Sequence, residues 1–268
     1  MYSHKINNQR GFSLFELLVT VTVVAILMSL IFPVIGQVRE AARRTVCASN
    51  LRQFGAAIMA YTSDNRGRVP GTFGWSGALN RYPDMIWRGT PPTGAVEQFS
   101  SDKIINYHEN ISETELTENS GAWYCPNQKK NYREMPALST VNGLGGETWF
   151  ISYTYFGQVS QWWSETFHGE LLTDMRLDPN RIVMSDRLYR WHVTEKYGFN
   201  HGTSHSAGYQ LSDGPGRGPA ISGVNQLFGD GSVRWKTRAE LHPEKLDFTD
   251  ASVPHTSVTN TPGDQFFF

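Results

Sequence analysis

Arg10-Gly11-Phe12-Ser13-Leu14-Phe15-Glu16 runs directly into Leu17-Leu18-Val19-Thr20-Val21-Thr22-Val23-Val24-Ala25-Ile26-Leu27-Met28-Ser29-Leu30-Ile31-Phe32-Pro33-Val34-Ile35. Between Phe12 and Ile35 the only charge is Glu16. As a helix this segment is ~36 Å long, slightly more than the ~30 Å hydrocarbon core of a bilayer. A carboxylate at that depth is costly and calls for a partner. Lys5 and Arg10 precede the segment, and Arg39, Arg43 and Arg44 follow it with Glu40 between. Basic charge on both flanks leaves the orientation undecided. A cleaved secretory signal fits poorly, because the apolar run is long and no small-x-small site ends it. Pro33 lies inside the run and is expected to kink the helix.

Beyond the apolar run the helix is expected to continue. Arg39-Glu40-Ala41-Ala42-Arg43-Arg44 favours helix. Cys47, Leu51, Phe54, Ile58 and Tyr61 then recur at helical spacing and form one apolar stripe. Arg43, Asn50, Arg52 and Gln53 take the other face. Asp64-Asn65-Arg66-Gly67, followed by Pro70, marks the stop. The whole helix, from Phe12 to about Ser63, would be ~78 Å long, with a membrane half and a half that packs on a sheet. Gly55 beside the stripe either admits a close neighbour or simply weakens the helix.

Past this helix roughly 200 residues remain, enough for one sizeable domain. Lys+Arg 24 against Asp+Glu 25 gives a net charge of -1, so no basic surplus points to nucleic acid. With 25 glycines and 13% aromatic residues, the composition is that of an ordered domain rich in strands and loops. Residues 71–122 form a long excursion in which Trp75, Leu79, Tyr82, Ile86 and Trp87 are expected to pack on the body. Glu109 to Glu118 is an acidic stretch compatible with a helix and reads most simply as a solvated face. Strands are expected at 149–156 and 181–186. Leu227-Phe228 and Ser232-Val233-Arg234-Trp235, joined through Gly229-Asp230-Gly231, make the clearest hairpin. The fold class is α+β: a long N-terminal helix on a small antiparallel sheet with long loop insertions.

Gly11-Phe12-Ser13-Leu14-Phe15-Glu16-Leu17-Leu18-Val19, with Pro33, resembles the class III signal of type IV pilins and type II secretion pseudopilins. Cys47-Ala48-Ser49-Asn50-Leu51-Arg52-Gln53-Phe54-Gly55, Tyr61, Pro70 and Cys125-Pro126 extend the likeness to a large bacterial group that joins this signal to a C-terminal globular domain. The resemblance implies cleavage by a prepilin peptidase between Gly11 and Phe12, N-methylation of Phe12, and a pilin-like fold. The expected divisions are a leader at 1–11, a transmembrane and filament-core helix at 12–35, its extracytoplasmic half at 36–64, and a globular domain at 65–268. The expected location is the bacterial inner membrane, crossed once, with the domain in the periplasm. Partners would be the peptidase, related pilin or pseudopilin subunits and the membrane. Two roles stand open for Glu16: pairing with the Phe12 amine of a neighbouring subunit, or neutralising its own helix start. Two also stand open for Cys47: a buried thiol, or a disulfide to Cys125 in an extracytoplasmic setting.

The same group carries a His-Gly element before an Asn-x-x-Phe-x-Asp-Gly-x-Val hairpin. Asn200-His201-Gly202 matches the first, and Asn225, Phe228, Asp230, Gly231 and Val233 match the second. Here 28 residues separate His201 from Asp230, an inserted loop relative to the group's shorter spacer. A metal set drawn from His192, His201, His205, Asp186, Asp213 and Asp230 lacks ligand spacing, so no cofactor is expected; calcium on Asp213 and Asp230 is the one variant kept by analogy with pseudopilins. Ser204-His205-Ser206 with Asp213 lacks a nucleophile elbow, and Gly143-Leu144-Gly145-Gly146 lacks the residues of a phosphate loop. The expectation is therefore no enzyme but a structural subunit of a pseudopilus or pilus-like filament. A membrane-anchored module binding a glycan or secreted protein is the alternative. The terminal Phe266-Phe267-Phe268 is expected to dock on the body or on another subunit.

Overall fold

A computed structural model of the chain describes residues 12–71, 85–88, 101–118, 120–127, 147–157, 161–162, 165–166, 179–191, 196–202, 208–211 and 221–241. Gly11, the side chains around Trp75, Gly143 to Gly146, His192, Ser204 to Ser206, Asp213 and the terminal phenylalanines lie outside these residues. Helix α1 spans Leu14–Asp64. It is followed by β1 (Met85–Arg88), α2 (Ser101–Ile104), α3 (Glu113–Thr117), β2 (Glu147–Phe150), β3 (Tyr153–Tyr155), β4 (Gln161–Trp162) and β5 (Glu165–Thr166). Then come β6 (Ile182–Asp186), β7 (Leu188–Trp191), β8 (Lys196–Phe199), β9 (Gly208–Leu211), β10 (Gly223–Phe228) and β11 (Val233–Thr237). Two compact units divide between Ala41 and Ala42.

In the first unit, every apolar side chain from Leu14 to Ile35 is exposed. The helix is long and apolar enough to cross a membrane. Its few hydroxyls are satisfied internally: Thr20, Thr22 and Ser29 each donate to the carbonyl three residues back, at 2.8, 2.8 and 2.7 Å. The helix is unbroken through Pro33, whose ring nitrogen has no hydrogen to give the preceding turn. Its start is a capping box. Ser13 Oγ accepts from the Phe15 amide at 3.2 Å, and Glu16 Oε2 accepts from the Ser13 amide at 2.9 Å.

In the second unit, the stripe of α1 lies in the main core. Cys47, Leu51, Phe54, Ala57 and Ile58 are fully buried with Trp123, Tyr153, Tyr155, Val183, Met184 and Leu227. The central sheet has the order β11-β10-β6-β3, all antiparallel. Phe54 sits edge-on to Trp123 at 5.0 Å and tilted against Tyr153 at 5.8 Å. Gly55 settles its own ambiguity: a Cβ there would come within 2.9 Å of Leu227 Cδ1, so its bareness lets the helix approach β10. The helix ends where expected, with Arg66 and Gly67 at positive φ and Gly67 N–H on the Thr62 carbonyl at 2.8 Å.

Three expectations change in detail. The run 149–156 is two strands in different sheets. β2 pairs with β1, while β3 pairs with β6. Between them Ser152 N–H turns to the Trp123 carbonyl at 3.0 Å, and Ser152 O accepts from the Arg187 amide at 3.1 Å. The acidic stretch carries α3, capped by Ser112, and buries Ile111 and Leu116. Part of the insertion between His201 and Asn225 forms β9, which joins β7 and β8 in a three-stranded sheet. A bridge from Gly202 to Ile221 closes the base of that insertion. Beside it Ser222 N–H donates to the His201 carbonyl at 2.9 Å, so the two ends of the insertion are held together.

Candidate functional site

Five distant segments meet at one buried polar cluster beside the core. Asp186 ends β6, Asn225 lies on β10, Asn200 and His201 follow β8, Cys125 and Asn127 follow the Gly121–Trp123 turn, and Cys47 lies on α1. All seven side chains are buried. A polar group in such a place must be hydrogen-bonded, and the bonds here converge on Asp186. Its Oδ2 accepts from the Asn225 amide at 2.7 Å and from Asn225 Nδ2 at 2.8 Å. His201 Nε2 lies 3.4 Å from the same oxygen, and Asn200 Nδ2 is 3.3 Å from Oδ1. Asn200 also donates to the Ser152 carbonyl at 2.6 Å, and Asn225 Nδ2 to the Arg44 carbonyl at 3.2 Å. The carboxylate thus ties β6, β8 and β10 together, and Asn225 carries the tie to the helix.

The ring of His201 has a defined orientation. Arg43 Nη1 donates to Asn127 Oδ1 at 2.6 Å. A guanidinium has no acceptor, so that amide must turn its Nδ2 toward His201 Nδ1, 3.3 Å away. Nδ1 is therefore the accepting nitrogen, and Nε2 carries the hydrogen. That hydrogen faces Asp186 Oδ2 and Cys125 Sγ, the latter 3.8 Å from Nε2. Trp235 of β11 closes the site, edge-on to His201 at 5.5 Å and under the Arg44 guanidinium at 4.3 Å.

Cys47 and Cys125 face each other with their sulfurs 2.8 Å apart, unjoined. Burial, together with the neighbouring Cys125 and Asp186, pushes the Cys47 thiol well above 9.0. Burial also acts to raise Cys125, but hydrogen bonds from Cys47 and His201 outweigh it and bring that thiol to about 7. Asn50 Nδ2 donates to Tyr153 Oη at 2.9 Å beside the pair, linking the helix to β3.

Cys47, Cys125 and His201 have the donor types of a zinc site, with ligand atoms within 4.8 Å of one another. Two features fit that chemistry poorly. Two thiolates on one tetrahedral zinc stand ~3.8 Å apart, well beyond the 2.8 Å here. The nitrogen facing the sulfurs also carries the hydrogen, so it has no lone pair to give. An acyl-transfer relay is not built either. There the base is oriented through one ring nitrogen and acts through the other, whereas Asp186 and Cys125 meet the same nitrogen.

The residues singled out in the sequence divide accordingly. Asn200, His201 and Asn225 meet at Asp186. Phe228, under the Arg234 guanidinium at 4.4 Å, and Asp230 and Gly231 build the hairpin instead. Asp230 Oδ1 accepts from the Ser232 amide at 2.8 Å, and its Oδ2 pairs with Arg234 at 3.3 Å. Those bonds to Ser232 hold its carboxyl below the usual range. Gly231 takes φ +80° to close the turn. Asp230, proposed with Asp213 for calcium, is thus employed as a turn residue on the exposed tip. Sequence reasoning set Arg43 and Asn50 on the face away from the stripe, whereas Arg43 bonds Asn127 and Asn50 is buried against Tyr153; it weighed Asp186 only as a metal ligand and did not single out Asn127, and an acid ending the buried strand Ile182–Asp186 was the available signal.

A membrane-length N-terminal helix with a single acid near its start, continuing into an α+β domain, defines a membrane-anchored pilin-like protein. Sequence comparison agrees. Residues 6–32 match the prokaryotic N-terminal methylation motif. Residues 36–172 match the family described as protein of unknown function (DUF1559), and the chain belongs to that family. No curated protein and no solved structure matches the chain.

Proposed function

We propose that the chain is a structural subunit of a type II secretion pseudopilus or type IV pilus-like filament, drawn from the inner membrane after prepilin peptidase processing. Cleavage between Gly11 and Phe12 and methylation of the new amine make Phe12 the first residue. The domain from Ala42 onward then lies on the periplasmic side. The observation that carries the reading is the exposed apolar helix face from Leu14 to Ile35, headed by Glu16 within a methylation motif. In water that face is unsupportable; lipid, and then the helices of neighbouring subunits, would cover it.

The two roles of Glu16 are compatible in this reading. Ser13 and Glu16 both follow the cleavage site, so the capping box survives processing. One carboxylate oxygen accepts from Ser13, and a carboxylate accepts at both oxygens. The second would receive the Phe12 amine of the adjoining subunit, so that neither charge stays alone in an apolar filament core.

Mass determination of the chain recovered from membranes tests the processing. A chain beginning at Phe12 and carrying one added methyl is expected. An intact Met1, or a cut near Ile35, would overturn it and favour a membrane-tethered binding module. Glu16→Ala should abolish filament formation while membrane insertion and the folded domain persist; unchanged assembly would sink the charge pairing.

A further inference from the structure

We propose that Cys47 and Cys125 are a modification site, a dithiol closed into a buried disulfide by exchange with a small or protein disulfide, with Cys125 as the attacking sulfur in the closing step. The inference does not depend on the filament reading. It rests on the placement of the sulfurs and of the groups around them. At 2.8 Å the sulfurs are closer than zinc ligands and approach the ~2.05 Å of a bond. Both are buried, so an oxidant must reach one of them before the helix docks on the domain. Cys47 belongs to the helix, which precedes the rest of the domain in the chain. Cys125 receives the Nε2 hydrogen of His201 only once β8, the Asn127 segment and Arg43 are assembled.

The chemistry balances in two exchanges. The Cys47 thiolate attacks the oxidant disulfide RS–SR, forming Cys47–S–S–R and releasing one RS⁻. As the Cys125 segment docks, its thiolate, stabilised by His201 N–H, attacks Cys47 Sγ. The Cys47–Cys125 bond forms, the bond to R breaks, and a second RS⁻ leaves. Two cysteine thiols are oxidised, one RS–SR is reduced to two RSH, and the two thiol protons end on the leaving groups. His201 acts here as a positioning residue, through Cys125. Lowering Cys125 to about 7 increases its thiolate fraction near neutral pH. After the accompanying loss of nucleophilicity the full shift is worth about fivefold, and the His201 hydrogen bond supplies the part that persists once Cys47 is bonded to R.

The test uses the full chain in detergent, reduced, unfolded in denaturant, and refolded with oxidised and reduced glutathione. Alkylation and mass analysis should find one chain lighter by two hydrogens, no alkylated cysteine, and a linked pair of peptides containing Cys47 and Cys125. Two alkylated thiols, two glutathione adducts or a covalent dimer would overturn the proposal. So would stoichiometric zinc that binds the reduced chain and blocks closure, which would make this a metal centre. His201→Phe keeps an aromatic ring against Trp235 but removes the N–H. It should slow closure by up to about fivefold near neutral pH and move the pH profile of the rate upward. An unshifted profile would overturn the part given to His201, while the cysteine count of the unaltered chain tests the bond itself.

Discussion

Asp186→Asn changes no volume and isolates what the carboxylate does. Its carboxyl oxygens face four donors, Asn225 N and Nδ2, His201 Nε2 and Asn200 Nδ2, at 2.7 to 3.4 Å. An asparagine has one acceptor oxygen and two hydrogens to place. Its best placement sets the oxygen at the Oδ2 position and keeps the Asn225 and His201 contacts. The new NH₂ then faces Asn200 Nδ2, donor against donor, in a fully buried site. Leaving those hydrogens unsatisfied costs about 1–3 kcal/mol, and each retained bond loses ~1 kcal/mol on exchanging an ionic acceptor for a neutral one. The sum over the three retained bonds and the unsatisfied NH₂, about 4–6 kcal/mol, is a large part of the 5–15 kcal/mol that holds a typical domain. Thermal unfolding of the full chain in detergent, followed by tryptophan emission, should show Tm lower by on the order of 10 °C. Asp230→Asn on the exposed hairpin tip is the control and should leave Tm within about 2 °C of the parent. A Tm within about 2 °C of the parent for Asp186→Asn would refute the idea that this carboxylate organises the sheet.

Phe54→Ala should destabilise the domain by about 3–5 kcal/mol, because it empties the space between helix, Trp123 and Tyr153; denaturant midpoints measure it. Gly55→Val should cost about 1–3 kcal/mol although valine is the better helix residue, since its Cβ would stand within 2.9 Å of Leu227; pairing it with Leu227→Ala should return part of the loss. Stability of the reduced protein should fall as pH rises past 9.0 to 10.0, because burial raises Cys47, Tyr153 and Tyr155 in the folded chain only, and their protons are then lost first from the unfolded one. Cys125 has the opposite sign. Depressed from 9.0 to about 7, it contributes stability above 9.0 that is lost as pH falls through about 7. Denaturant midpoints across that range should therefore rise and then fall in the reduced protein. Closing the disulfide should erase the rise and leave the tyrosine-driven fall.

Local chemistry was written plainly in the chain. The span of the first helix follows from an apolar run of membrane length, and its stop from Asn65-Arg66-Gly67. The buried face of its second half follows from the spacing of Cys47, Leu51, Phe54, Ile58 and Tyr61, because a helix stacks residues three and four apart. The β10–β11 turn follows from Asp230-Gly231, where only local geometry is required. The Ser13-x-x-Glu16 capping box was equally local, yet the carboxylate was weighed first for its cost in the membrane. What the tertiary structure alone decided is the polar cluster. Asn200, His201 and Asn225 could be picked out as a motif, but not that Asp186 joins them. Four donors from two segments select one acceptor on a third only after the sheet has formed. Nor could the sequence tell which nitrogen of His201 bears its hydrogen, since Arg43 sets this through Asn127 from a distant part of the chain. Whether 149–156 was one strand or two was likewise settled by pairing. A run of aromatic and β-branched residues fixes the preference for extended backbone, while Trp123 and Arg187 take the Ser152 peptide and break the ladder.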